Sequence, residues 1–178
     1  MLNREYLQDA KESILKFEKI VLPFIKETNF IKGTFVHIEK ATVDKYKDLT
    51  KEFDMHSSID LFNVRPKGII GLSLRIQGGY YNSFTIRKSR LSNNETEYVK
   101  IGRAIKNKGK YIYPYYMMQC YINNGKLCSI GFAKTKDILK CIDKKKYILN
   151  HDEKSDFYPV FWKDMKDKGF KVKTKIIN

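Results

Sequence analysis

The sequence has few of the residues that build disulfide frameworks, zinc sites and membrane spans. Its 178 residues include only three cysteines, and no two of them have C-x-x-C spacing, so neither a disulfide framework nor a zinc site is predicted. The three histidines also lack metal-ligand spacing. No apolar run approaches about 18–20 residues, and the first residues do not resemble a signal peptide. We therefore expect a cytoplasmic protein without a membrane span, in a reducing compartment.

Two motifs that identify common enzyme classes are also missing. The sequence contains neither a G-x-x-x-x-G-K-[ST] phosphate loop nor a nucleophile elbow around a serine. It has no internal repeat, low-complexity segment or Gly/Ser-rich linker that would mark a boundary. The length suits one domain, so we interpret residues 1–178 as a single domain.

Acidic residues are scarce relative to basic ones. The chain has 35 Lys and Arg against 20 Asp and Glu, a net charge of +15. Such an excess favours a polyanionic partner, most simply nucleic acid. AT-rich coding is an alternative explanation, because it enriches Lys, Asn, Ile and Tyr without selection for binding. A basic surface also suits anionic lipid or an acidic protein partner. Oligomeric state is not indicated.

What the sequence does contain is a hairpin signal between residues 58 and 77. The tetrapeptide 65–68, Arg-Pro-Lys-Gly, predicts a tight turn, because proline pre-sets φ and glycine closes the turn. The strand that follows, residues 69–77, alternates in character. One face is apolar and the other carries a hydroxyl, a guanidinium and an amide. These polar residues are Ser73, Arg75 and Gln77, which share their face with Gly71.

Asp60 lies on the other strand of this hairpin and is predicted to fold back toward the polar face. A carboxylate opposite a row of polar side chains is the one arrangement in the sequence that suggests chemistry. A half-solvated sheet face is the simpler interpretation. A third strand, Ser83–Arg87, is predicted next, and it would let Arg87 extend the polar face that carries Arg75.

The rest of the chain alternates helices and strands. Apolar residues recur at steps of three and four in residues 3–26, which predicts a helix with a kink or early end at Pro23. The apolar positions of that helix are Leu7, Ala10, Ile14, Phe17, Val21 and Phe24. The other predicted helices cover 42–54, 96–107, 135–141 and a segment around Trp162. The other predicted strands cover 33–38, 115–122, 126–133 and 170–177.

This order resembles the PD-(D/E)XK nuclease superfamily. The resemblance covers roughly residues 5–133, from the leading helix through an antiparallel run of strands to a helix and further strands. The local match is Asp60, a gap, and then Ser73-Leu74-Arg75 where the family places Glu-x-Lys. The sequence departs from the motif at both positions, because serine replaces the acid and arginine replaces the lysine.

The resemblance implies a restriction-endonuclease-like fold and a divalent-metal site. Asp60 would be the metal ligand, and Asp60, Ser73, Arg75 and Gln77 would form the catalytic set. Family chemistry uses acidic oxygens to hold a hard ion such as Mg²⁺. A serine hydroxyl is a poor substitute for a carboxylate, and arginine keeps its charge but cannot act as a base. Gln77, Glu18 and Glu97 are the candidates to fill the missing ligand position.

A basic segment provides the second candidate surface. Lys106, Lys108 and Lys110 surround Gly109 in a predicted loop and are candidates for phosphate contact, together with Arg87. Tyrosines follow at positions 111, 113, 115, 116 and 121. Basic residues beside aromatic ones suit single-stranded nucleic acid, whereas a tyrosine-rich strand entering a sheet is the alternative for residue 115 onward.

Taken together, these patterns predict an α/β or α+β domain with a central mixed sheet of about five or six strands, flanked by helices. The predicted function is nucleic-acid binding by a nuclease-like domain, with metal-dependent phosphodiester cleavage left open. The alternative is a non-catalytic basic protein that blocks or recruits a nucleic-acid-handling machine through a protein partner.

Overall fold

The structure is a computed structural model that describes residues 11–38, 57–90, 95–107, 112–143, 150–151 and 155–177. The predicted helix at 42–54 and the two loop lysines Lys108 and Lys110 lie outside these ranges. The described strands are β1 (Thr34–His37), β2 (Leu61–Arg65), β3 (Gly68–Gly78), β4 (Ser83–Arg90), β5 (Tyr116–Asn123), β6 (Lys126–Lys134), β7 (Asn150–His151), β8 (Ser155–Phe161) and β9 (Val172–Ile176).

A mixed sheet of six strands forms the centre of an α+β fold, as predicted. Its strand order is β1-β2-β3-β5-β6-β9. Every neighbouring pair is antiparallel except β3 and β5, which run parallel with Leu72 opposite Tyr116. The parallel pair is joined by a long crossover that includes β4 and a helix, as parallel strands require.

The two predicted hairpin turns are confirmed. Arg65 at the end of β2 pairs with Gly68 at the start of β3, so the turn lies between them. Gly68 has a φ of 136°, a value that residues with a side chain rarely adopt. β5 and β6 join through Asn124 and Gly125, whose φ values of 48° and 73° suit the type I′ turn that an Asn-Gly sequence favours.

The strands are accompanied by α1 (Leu22–Thr28), α2 (Glu97–Lys106), α3 (Thr135–Asp143) and α4 (Trp162–Asp167). Residues 11–16 are also α-helical, and residues 11–28 together are called the N-terminal helical region. A π-helical segment, Phe17–Val21, leads directly into α1 and carries Pro23 into its first turn. The Leu22 N–H donates to the Phe17 carbonyl, five residues back. The wider turn changes the buried face, so Ile25 is 1% exposed whereas the predicted Phe24 is only partly buried.

A second sheet of three strands, in the order β4-β8-β7, was not predicted. The sequence predicted β4 as a third strand beside β3, but β4 pairs with β8 instead. β3 already pairs with β2 on one side and β5 on the other, and Gly79, with a φ of 102°, takes the chain out of the first sheet. The helix predicted around Trp162 is present as α4, and the strand β8 directly before it was not predicted.

The six-stranded sheet is covered on both faces. On one face, β-strand residues such as Leu61, Leu72 and Ile130 pack against Phe17, Val21 and other residues of the N-terminal helical region. On the opposite face, Met117, Tyr121 and Ala133 pack against the second sheet and α2, α3 and α4. The polar row predicted on β3 therefore faces into the protein, toward the second sheet, and is not a solvated surface.

Candidate functional site

The polar row on β3 continues across the neighbouring strands. Gln119 and Tyr121 of β5 and Ser129 of β6 lie on the same side of the sheet as Arg75 and are at most 2% exposed. Together with Ser73 and Gln77 these residues form what we call the polar row. They face β4, which is the edge strand of the second sheet. The row therefore lies between two sheets, where unpaired polar groups cost about 1–3 kcal/mol each.

The main contact of the row is with the backbone of Thr85 in β4. The Arg75 guanidinium donates to the Thr85 carbonyl at 3.1 Å, and the Thr85 N–H donates to the Gln119 side-chain oxygen at 3.3 Å. Both of these Thr85 backbone groups point away from Pro159, its partner in β8, so the two residues form a non-hydrogen-bonded pair of the β4–β8 ladder. Arg75 and Gln119 therefore complete the hydrogen bonding of this strand edge.

The same arrangement repeats along β4 toward its start. The Tyr121 hydroxyl donates to the Ser83 carbonyl at 3.0 Å and also lies 3.2 Å from the Ser83 hydroxyl. The Ser129 hydroxyl donates to the Tyr81 carbonyl at 3.0 Å. Burial raises the pKa of Tyr121 above its usual range, because an ionised phenolate would be poorly solvated there. This end of the row acts as a neutral hydrogen-bonding surface.

Gln77, a predicted site residue, belongs to the row through a second layer of bonding. Its side-chain oxygen accepts from the Gln119 amide nitrogen at 2.9 Å. That bond fixes the orientation of Gln119, whose oxygen then faces the Thr85 N–H. Gln77 thus acts on β4 indirectly, by orienting the Gln119 side chain that bonds to it.

Arg75 and Arg87 meet at a shared carboxylate. Their Nη1 atoms lie 3.9 and 3.7 Å from the same Glu97 oxygen, and their side chains are 16% and 25% exposed. The prediction that Arg87 lies beside Arg75 is consistent with this geometry, although Arg87 reaches the group from the second sheet. Two guanidinium groups and one carboxylate leave an excess positive charge in a partly buried position.

Asp60 lies where β2 and β3 separate. Its N–H donates to the Leu72 carbonyl at 2.8 Å, which extends the β2–β3 pairing by one residue. Its Oδ2 then accepts from the Leu74 N–H at 2.6 Å and from the Ser73 hydroxyl at 3.2 Å. The structure thus brings Asp60 and Ser73 together, at the end of the row that also carries Arg75.

Beyond Asp60, β3 borders a cleft of about 330 Å³. The N-terminal helical region forms the opposite wall. The lining residues are Glu12, Ser13, Lys16, Leu74, Arg75, Ile76, Gln77 and Arg87. Three of these are cationic and one is acidic, and the acid, Glu12, lies 3.4 Å from Lys16. The cleft is therefore a polar depression with an excess of positive charge.

Within the described part of the chain, no three His, Cys, Asp or Glu side chains lie close enough together to hold a metal ion. Asp60 contributes a single carboxylate. A hard divalent ion at Asp60 would thus need further oxygen ligands from substrate phosphates or from parts of the chain outside the described ranges. In the described residues, no helix has both the length and the apolar character to cross a membrane.

The predicted basic loop is only partly described, since Lys106 is its one described lysine and ends α2 as an exposed residue. The tyrosines that follow divide into two groups. Tyr116 stacks on Phe132 at 4.5 Å, as expected for a strand entering a sheet. Tyr115 is 47% exposed, with the Lys134 ammonium 5.6 Å from its ring. The hydrogen bond to Tyr115 raises the pKa of Lys134.

Sequence reasoning missed the partners of the row: Gln119, Tyr121, Ser129 and Glu97 as the carboxylate between two arginines. Alternation along residues 116–123 places Gln119 and Tyr121 on one face, which was a usable signal. These two side chains can be recognised as an extension of the polar row only when β3 and β5 are known to be neighbouring strands.

Comparison with protein-family models, with curated proteins and with solved structures finds no match for this chain.

Proposed function

We propose that the protein binds nucleic acid through its phosphate groups, and that the cleft beside β3 holds one of these phosphates. The observation that carries the proposal is the convergence of Arg75, Arg87 and Lys16 on a cleft with a single acidic lining residue. A net charge of +15 supports the same class of partner. The prediction of a cytoplasmic location is part of the proposal.

Two of the three cations are suited to contact a ligand. Arg75 already donates a hydrogen bond to the Thr85 carbonyl, and its side chain is only 16% exposed. It therefore contributes positive charge near the cleft and does not contact the ligand. Arg87 and Lys16 are more accessible, with side chains 25% and 50% exposed. A planar guanidinium beside an ammonium group suits a phosphate, because arginine can bind two of its oxygens at once.

The test is fluorescence anisotropy with labelled DNA and RNA at about 50 and 200 mM salt. Affinity should fall steeply between the two conditions, since phosphate contacts release counterions. The double variant Lys16→Met, Arg87→Met should bind more weakly and show a shallower salt dependence. The matched control is Lys26→Met, Lys140→Met, which removes two exposed lysines away from the cleft.

Two results would contradict this proposal at different levels. Wild-type protein that fails to bind any nucleic acid at low salt would remove the nucleic-acid reading and favour the alternative, a basic protein that acts through a protein partner. Binding that both double variants weaken equally would retain the function but remove the cleft as its location.

The loop lysines are a further part of the proposed interface. Lys106, Lys108 and Lys110 are proposed to contact phosphates beyond the cleft, because they lie together around Gly109 in the sequence. Replacing all three by alanine should weaken binding about equally for different nucleic-acid sequences and flatten the salt slope. If the nucleic-acid affinity and its salt dependence are unchanged, these lysines do not contact the ligand and the segment is only a solvated connection.

Metal-dependent phosphodiester cleavage is the second candidate, and the position of Asp60 favours it. The carboxylate lies at the point where two strands separate, next to a cationic cleft. This arrangement is where a PD-(D/E)XK-like site is proposed to lie. A bound Mg²⁺ would polarise the phosphodiester, and Asp60 is the proposed ligand, with Ser73 beside it.

Asp60→Asn tests this candidate. An amide oxygen can still accept from the Leu74 N–H, but it is a much weaker ligand for a hard cation. The variant should therefore lose Mg²⁺- or Mn²⁺-dependent cleavage while keeping its fold and its binding. Wild-type protein that binds DNA and RNA but cleaves neither with any divalent metal would leave binding as the function.

A further inference from the structure

Two exposed tyrosines, Tyr80 and Tyr81, follow directly after the C-terminal end of β3. Tyr80 and Tyr81 are 70% and 65% exposed, which makes them among the most exposed large hydrophobic side chains described. They lie in the segment that connects β3 of the first sheet to β4 of the second sheet. An exposed aromatic ring contributes no burial energy to the fold, and clusters of such rings often mark an interaction surface.

Tyr80 is held by the neighbouring hairpin. Its hydroxyl accepts from the Asn123 side-chain amide at 2.5 Å. Asn123 is the last residue of β5 and pairs with Lys126, the first residue of β6. Because paired residues of a sheet project to the same side, Lys126 lies beside the Asn123–Tyr80 contact. The exposed ring therefore has an anchor and a neighbouring cation.

Tyr81 is held by different groups. A side chain at Gly79 would approach the Tyr81 ring to 2.8 Å, so the ring packs directly on this glycine. The ring also meets the buried Tyr121 ring edge-on, with centroids 5.8 Å apart, and the Tyr81 carbonyl accepts from Ser129. Tyr81 is thus fixed by its backbone and by one side of its ring, while most of its surface stays exposed.

Apolar and basic residues extend the surface. Ser129 pairs with Ile176 of β9, so Ile176, 58% exposed, is a close neighbour of Tyr81. Two residues earlier on the same face of β9, Thr174 accepts a hydrogen bond from the Lys166 ammonium at 2.6 Å. We call the group Tyr80, Tyr81, Ile176, Lys126 and Lys166 the tyrosine surface.

We propose that the tyrosine surface binds single-stranded nucleic acid by stacking bases on Tyr80 and Tyr81. The proposal rests on the proposed nucleic-acid binding and names the form of nucleic acid bound. Rings that are already fixed lose little side-chain entropy on binding, and every base offers a face for stacking. Bases inside a duplex are already stacked, so the surface discriminates in favour of unpaired strands.

The charge and spacing of the surface fit this ligand. Lys126 and Lys166 can meet phosphates while the rings meet bases, the combination that single-strand binding surfaces use. The six residue-to-residue steps from Tyr81 to Arg87 span at most about 20 Å of chain, so a short nucleic-acid strand can reach the cleft from the tyrosines. At the opposite end of β5, Tyr115 has a lysine ammonium near its ring and provides a natural comparison.

The experiment measures the affinity of the full chain for labelled oligo(dT) of about 20 nucleotides and for a duplex of the same length, at low salt. Tyr80→Leu, Tyr81→Leu should bind oligo(dT) roughly tenfold or more weakly, with duplex affinity changed less than about twofold and the salt slope unchanged. Tyr80→Phe, Tyr81→Phe keeps both rings and should stay within about threefold of wild type.

Tyr115→Leu is the matched control, because it removes an exposed tyrosine from the other end of β5. It should leave oligo(dT) affinity unchanged. The inference is overturned if the double leucine variant binds oligo(dT) like wild type, if it loses duplex affinity equally, or if the double phenylalanine variant loses as much. Failure of the wild type to bind either probe would instead overturn the proposed function itself. Circular dichroism establishes that each variant is folded.

Discussion

The two faces of β3 are both buried, but they are buried by different means. On one face, Leu72 is fully buried among apolar side chains, with Ile70, Leu74 and Ile76 packed against the same core. On the other face, Arg75 and Gln77 belong to a row of polar side chains that covers the open edge of β4. A polar row in a sequence can therefore serve a strand edge as well as a ligand.

The difference between the faces lies in what each one requires. The apolar face gains stability from buried area, which is non-directional. The polar face needs each donor to meet its acceptor, because a buried group without a partner costs about 1–3 kcal/mol. The loss of stability on substitution should thus scale with the side-chain volume removed on the apolar face. On the polar face it should scale with the number of hydrogen bonds removed. Four predictions test this contrast, from the largest expected effect to the smallest.

Leu72→Ala should destabilise the protein most. The side chain has no exposed surface, and truncating such a leucine leaves a cavity that typically costs about 2–5 kcal/mol. Chemical denaturation followed by far-UV circular dichroism measures the change. Val64→Ala is the control, since Val64 is 39% exposed on the neighbouring strand. An equal loss in both variants would contradict the assignment of this face to the core.

Gly131→Ala should be the next most damaging change, because the Trp162 ring packs directly against this glycine of β6. An added Cβ would come within 2.3 Å of the Trp162 ring, and Trp162 is 2% exposed in the core between the sheets. Overpacking of this kind costs about 1–3 kcal/mol. Thermal denaturation measures the loss, and Gly102→Ala, at a helix position with open space around it, should cost nothing.

Arg75→Met separates a structural role from a ligand-binding one. Methionine keeps much of the side-chain volume but leaves the Thr85 carbonyl without its charged donor, at a cost of about 1–3 kcal/mol. We expect lower stability with nucleic-acid affinity changed less than about threefold. Arg87→Met should show the reverse, with weaker binding and little loss of stability. Strong loss of binding in Arg75→Met would show that this arginine contacts the nucleic acid and does not serve only to bond the Thr85 carbonyl.

Tyr121→Phe should have the smallest effect, about 0.5–1.5 kcal/mol, since it removes one hydroxyl from the Ser83 carbonyl. Burial raises the pKa of this phenol in the folded state above its usual value of 10.0. The stabilisation from its neutral form is thus fully present below the unfolded pKa and is lost as pH rises through the folded pKa. Urea denaturation at about pH 9 and above pH 10 measures this dependence.

The comparison with wild type isolates Tyr121 from the other tyrosines and the lysines. The stability difference between wild type and Tyr121→Phe should shrink as pH rises above the unfolded pKa, because only the wild type loses the contribution of this phenol. A difference that stays constant with pH would show that the hydroxyl at position 121 is not the group that titrates.

Local patterns decided much of the fold. The Pro-Lys-Gly turn before β3 and the Asn-Gly turn after β5 are set by backbone preferences of single residues, and both are found as predicted. The alternation along β3 fixed which side chains share a face, because successive residues of a strand point to opposite sides. The predicted central mixed sheet of about five or six strands is found with six.

The sequence by itself thus determined the strands of the central sheet, its two hairpin turns and the two unlike faces of β3, all of which depend on neighbours in the chain. Only the tertiary structure decided what lies against the polar face. The partners of Arg75 and Gln77 are Thr85 and Gln119, on strands whose placement depends on the crossover between β3 and β5. Hydrogen bonds between distant segments form only after packing has brought those segments together, so local periodicity carries no record of them.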